Sequence, residues 1–162
     1  MSSVPSSDGA ARRRRRLTVE VKESLRELRG QLSLLDHRVG ARLTLNDVDL
    51  DCLDLIARRG PSSPSSVARQ AGLHPATVTG ILDRLERAGW IVRERDREDR
   101  RSVLVRTRRE RGGEVFGMYA GMNTSMDRIC AGYSDTELEL IVDFLRRTGS
   151  ASGAAAADLS DD

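Results

Sequence analysis

Val21, Leu25, Leu28, Leu32, Leu35 and Val39 return every three or four positions, the spacing of a long helix with a narrow apolar stripe. Such a stripe needs a partner helix, supplied either by the same chain or by a second copy. A second helix is predicted over Asp47–Arg59, capped by Asn46, with Val48, Cys52, Leu55 and Ile56 on its apolar face. Asp47, Asp49, Asp51 and Asp54 fall mainly off that face and read as a solvated acidic side, its first-turn members suiting the helix dipole. Cys52, inside the stripe, reads as a small buried hydrophobe.

The next two helices are short and close together. Ser63-Pro64 is a cap followed by a first-turn proline, and it opens a helix with Val67, Ala68 and Ala71 inward and Gly72 as its stop. Pro75 begins another helix almost at once, with Val78, Ile81, Leu82, Leu85 and Ala88 as its core face. Two short helices joined by a tight Gly-containing turn form a helix-turn-helix. Residues 90–95 and 102–107 are rich in β-favouring side chains and flank a charged stretch, which predicts a β-hairpin with a charged tip. A hairpin directly after a helix-turn-helix is a wing. Thr107 with Glu110 opens a further helix near Arg108, expected to run through Val115, Phe116, Tyr119, Met122, Met126, Ile129 and Cys130. Ser134 with Glu137 opens the last, carrying Leu138, Ile141, Phe144 and Leu145. The predicted class is therefore mainly α with a small β-hairpin wing: a winged helix over about 45–107, with further helices at about 17–43 and 108–148 whose stripes need a partner.

Composition limits what such a scaffold does. With 162 residues, 38% hydrophobic and 3% aromatic, there is material for one modest core. Residues 1–16, with the run Arg12–Arg16, and residues 149–162, Ala/Ser/Gly/Asp-rich, read as disordered tails. No run is apolar enough to span a bilayer and no secretory leader is visible, so a soluble, cytoplasmic protein is expected. Cys52 and Cys130 lack metal-type spacing, and two histidines, His37 and His74, do not complete a metal site, so neither metal nor cofactor is expected. No nucleophile pair or phosphate-cradling loop supports an enzyme. The net charge of +2 conceals separation: residues 74–111 hold eleven Arg against seven acids. A positively decorated helix fits the major groove of DNA, and an arginine-tipped hairpin fits phosphates or the adjacent minor groove.

The stretch from Gly72 to Glu86 (GLHPATVTGILDRLE), then Gly89-Trp90 and the segment from Asp96 to Val105 (DREDRRSVLV), resembles the MarR family of winged-helix regulators. In that family an Asp and an Arg two positions later, here Asp99 and Arg101, brace the wing tip. The resemblance implies double-stranded DNA as partner, a homodimer interlocked through its first and last helices, and a pseudopalindromic operator. It also implies a transcriptional regulator, most often a repressor released by a small-molecule effector. The candidate DNA-binding residues are His74, Ala76, Thr77, Thr79, Gly80, Arg84 and Arg87 on the second helix of the motif and Arg97, Arg100 and Arg101 at the tip, with Asp99 as brace. Arg84 and Arg87 are expected on phosphates; Thr77 and Thr79 stand either on bases or on the helix surface. Three positions depart from the family: His74 replaces a usual Ser, Gly80 a usual basic residue, and Arg106 the Leu of a usual Leu-Thr pair before the next helix. Met118, Tyr119, Met122 and Met126 line either an effector pocket or the core. The competing reading is a winged-helix protein-interaction module without sequence-specific DNA binding.

Overall fold

The computed structural model describes residues 7–96, 99 and 101–159, divided into two compact units at residues 1–115 and 116–162. The order is α1 (Ser7–Leu43), α2 (Asp47–Arg59), α3 (Pro64–Ala71), α4 (Pro75–Arg87), β1 (Ile91–Arg95), β2 (Val103–Thr107), α5 (Arg109–Met118), α6 (Ala120–Cys130) and α7 (Asp135–Asp158). The expected class is observed: helices with one antiparallel hairpin, β1 on β2 in the register Ile91 opposite Thr107 and Arg95 opposite Val103.

The core of the first unit is assembled from the ends of short elements. Val39 of α1, Leu50, Leu53 and Ile56 of α2, Val67 and Ala68 of α3, and Val78, Ile81, Leu82 and Leu85 of α4 close over Trp90, Ile91 and Val105 of the wing root. On α2 the buried face is rotated from the sequence expectation. Leu50 and Leu53 are buried, Val48 is exposed and Leu55 only half-buried, because α1, α3 and α4 all pack on α2 and select a wider face than one stripe. The α1–α2 corner is tight: Leu45 N–H donates to Gly40 O at 2.8 Å, and a Cβ at Gly40 would stand 2.8 Å from Leu45 O. Gly72, left-handed at φ 65°, ends α3 and turns the chain into α4.

Three boundaries differ from those read in the sequence. The helix expected from residue 17 starts at Ser7, so residues 7–16, read as part of a disordered tail, are helical. Extending an existing helix needs no new nucleus, and Asp8–Arg12 and Arg16–Glu20 form ion pairs one turn apart along it. Likewise α7 runs past Gly149 to Asp158 through a run of alanines, the strongest helix formers. The long helix expected from Arg108 breaks at Tyr119, leaving α5 and α6 as separate pieces. A third extended segment also joins the hairpin: Ser62 pairs with Val105 through bonds of 3.0 and 2.8 Å.

In the second unit the Ser134–Glu137 capping box forms as expected. No residue of α5, α6 or α7 is buried, and Phe116, Ile129, Leu140 and Phe144 are exposed. The stripe on α1 is similar: only Val39 is fully buried, while Val21, Leu28 and Leu32 are exposed.

Candidate nucleic-acid interface

Two caps fix where α4 begins. Ser63 accepts from Ser66 N–H at 3.2 Å to start α3, and His74 Nδ1 accepts from Ala76 N–H at 3.2 Å to start α4, with Pro75 in the first turn. The imidazole thus performs the task of the serine it replaces. Apolar positions three and four apart then hold α4 against α2 and α3, leaving Ala76, Thr77, Thr79 and Arg87 exposed and Gly80 half-exposed. The Thr79 hydroxyl donates to Pro75 O at 3.0 Å.

Arg84 does something the sequence did not indicate. Its Nε donates to Asp49 Oδ2 at 3.0 Å and its Nη2 to Oδ1 at 2.6 Å, a forked pair joining α4 to α2. Asp49 is not on a solvated acidic face: it is only 4% exposed, its charge met by Arg84 and its own N–H capped by Asn46 at 2.8 Å. The bond to Asp49 raises the Arg84 pKa above its ordinary value. Arg84 therefore braces the helix, and half of its side chain stays exposed.

The wing root is tied down by a second set of arginines. Arg93 of β1 reaches Asp83 at 2.6 Å and also Glu86, both on α4. Arg106 and Glu94 pair across the hairpin at 2.5 Å. Arg111 of α5 lies over the Trp90 ring, 3.4 Å from its centroid, and donates to Ala88 O at 2.6 Å. Helix and hairpin are thereby locked to one another.

At the tip, Asp99 and Arg101 are braced through backbone rather than through a side-chain pair. Asp99 Oδ1 accepts from Arg101 N–H at 3.0 Å, Oδ2 accepts from the Ser102 hydroxyl at 2.8 Å, and Ser102 N–H donates to Asp99 O at 2.8 Å. Those bonds to the ionised form hold the Asp99 carboxyl below its usual value. The Arg101 guanidinium stays exposed, and no hydrogen bond or ion pair to it is found among the described residues. Arg97 and Arg100, expected at the same tip, lie outside the described residues.

The structure thus brings His74, Ala76, Thr77, Thr79, Gly80, Arg84 and Arg87 onto α4, with Asp99 and Arg101 on the attached hairpin. Sequence reading missed Asp49, Arg93 and Arg111, whose partners sit too far along the chain for periodicity to reveal. Among the described residues no His/Cys/Asp/Glu cluster could hold a metal, and no helix is long and apolar enough to cross a membrane.

Comparison with known proteins agrees with this geometry. The MarR family model matches residues 45–103, the α2-to-wing segment. An HTH-type transcriptional regulator of Bacillus subtilis, YcgE, is 32% identical over 117 residues, covering 72% of this chain and 76% of the relative. The HTH-type transcriptional repressor YetL of the same organism is 29% identical over 51% of this chain and 50% of its own length. Among solved structures, Streptococcus pneumoniae FabT in complex with DNA superposes with a TM-score of 0.67 at 20% identity, over 85% of this chain and 98% of FabT, which establishes the shared fold. With a tight-turned helix pair, an arginine-braced wing and a relative matched over most of its length, the chain belongs to the MarR family of helix-turn-helix transcriptional regulators, which are DNA-binding proteins rather than enzymes.

Proposed function

We propose that this protein is a sequence-specific transcriptional repressor that binds a pseudopalindromic operator as a homodimer and leaves it when a small molecule binds. The observation that carries this reading is the rigid pairing of α4 with the wing. A helix with an exposed face of small residues and a hairpin presenting Arg101 are joined by Arg93 and Arg111, so both enter neighbouring grooves as one body. The exposed apolar residues of α1, α6 and α7 support a second copy as their cover, because stripes of this kind are stable only against another helix. Two such bodies place their reading helices on half-sites roughly 34 Å apart. The name of YetL supports repression. Release by an effector is supported by an open cleft of about 690 Å³ between the α1–α2 corner and α4, lined by His37, Asp47, Val48, Thr77, Gly80 and Arg84. A ligand there covers Thr77 and Gly80 on the reading helix, so its binding and operator binding exclude one another.

The test is binding of the full chain to DNA upstream of its own gene across a range of salt, with Arg101→Ala alongside. A selective complex that weakens as salt rises, and a loss of about 1–3 kcal/mol in the variant, supports the reading. Equal affinity for every duplex favours the interaction-module alternative instead.

A further inference from the structure

Over its first two turns the surface that α4 offers to a groove is built from short side chains. Pro75, Ala76, Thr77 and Thr79 are exposed, and Gly80 half-exposed, with no side chain at all. The longer residues that follow are committed elsewhere: Asp83 to Arg93 on the wing, Arg84 to buried Asp49. Arg87 lies twelve residues beyond Pro75, about 18 Å along the axis, in the backbone-contacting part of such a helix.

Guanine is read in the major groove by the paired donors of Arg or Lys, and adenine by the amide of Asn or Gln. None of those four residue types occurs between His74 and Asp83. His74 spends Nδ1 on its own helix, which leaves one ring nitrogen and no pair. Thr79 has already given its hydroxyl proton to Pro75 O, so outward it offers a methyl and an acceptor. Ala76, Thr77 and Thr79 therefore all present methyl groups, beside the exposed Thr77 hydroxyl. The base feature that matches methyl is the C5-methyl of thymine. Gly80 assists. A Cβ built there meets only Arg84 Nη1, at 3.8 Å, so the absent side chain serves no packing need and leaves the helix surface bare for closer approach.

We propose that this protein reads the major groove of its operator through thymine methyl groups, with Ala76, Thr77 and Thr79 as the specificity-determining residues and Gly80 as the gap that lets them approach. This rests on the DNA-binding reading above and adds the class of sequence recognised. Thymines face α4, and guanine is not read directly. Arg101 works in the same direction, since narrow A·T-rich minor grooves attract arginine most strongly.

The full chain is used to select duplexes from a random pool. Affinity is then measured for the selected site, for copies with half-site thymines replaced singly by deoxyuridine, and for copies with guanines replaced by 7-deazaguanine. Removing each contacted thymine methyl weakens binding about fourfold, the effect of one buried methylene-sized group. The 7-deazaguanine copies bind unchanged. Thr77→Ser loses about the same factor on thymine DNA and nothing on the deoxyuridine copy of its contacted position, while Thr77→Val keeps wild-type affinity. Thr77 is exposed, so these variants fold, which circular dichroism checks. Unchanged binding to every deoxyuridine copy, with marked loss on 7-deazaguanine, overturns the proposal and leaves DNA reading intact. If no site emerges from the pool, the DNA-binding reading fails and the proposal falls with it.

Discussion

Removing the Arg84 guanidinium is the most direct test of how α4 is held. Arg84→Ala leaves Asp49, whose side chain is 6% exposed, without the only cation that meets both of its oxygens among the described residues. Stranding one member of a fully buried pair costs about 3–5 kcal/mol. Here the Arg84 side chain is 50% exposed, so water enters the space it vacates and solvates the carboxylate left behind. The expected cost is therefore about 2–3 kcal/mol. Asp49→Asn costs less, about 1 kcal/mol, because the group it strands is the solvated one. Urea unfolding at fixed protein concentration measures both, the concentration being held because association contributes to apparent stability. A loss below about 0.5 kcal/mol for Arg84→Ala, the range of an ordinary exposed ion pair, refutes the argument. The same variant should retain the salt slope of DNA binding, whereas Arg87→Ala lowers it by about one unit.

Other consequences are checked more briefly. Arg111→Ala removes the cation over Trp90, the single tryptophan, and the bond to Ala88 O; a loss of about 1 kcal/mol and a shift in tryptophan fluorescence are expected, and unchanged emission argues against the stacking. Asp99 has a folded pKa below the ordinary 3.8, so its bracing is complete above that value and is lost as pH falls through the lower one. The Arg101 amide resonance should accordingly titrate with a midpoint below 3.8, and a midpoint above it contradicts the brace. Burial, followed by the nearby Asp49 and Asp51 charges, pushes the Cys52 thiol up, so a thiol reagent at neutral pH should modify half-exposed Cys130 well before Cys52. Equal rates would show that α2 opens readily.

What the sequence determined was whatever is written within a few residues. Asn46, Ser63-Pro64 and Ser134–Glu137 announced helix starts because a cap is satisfied by backbone two or three positions on. Spacing of three and four placed Val78, Ile81, Leu82 and Leu85 in the core, and the turn at Gly72 followed by a charged hairpin identified the winged helix. Tertiary structure alone decided the partners of charged residues. Asp49 and Arg84 are 35 positions apart, and Arg111 meets Ala88 across 23. On a helical wheel Asp49 sits beside other aspartates and looks solvated; only the docking of α4 makes it the buried end of an ion pair. The same docking gave Arg84, a candidate phosphate ligand, a bracing partner in Asp49, and left Ala76, Thr77 and Thr79 exposed with Gly80 half-exposed beside them. Local sequence sets which groups a helix can display, whereas long-range packing sets which of them are already satisfied.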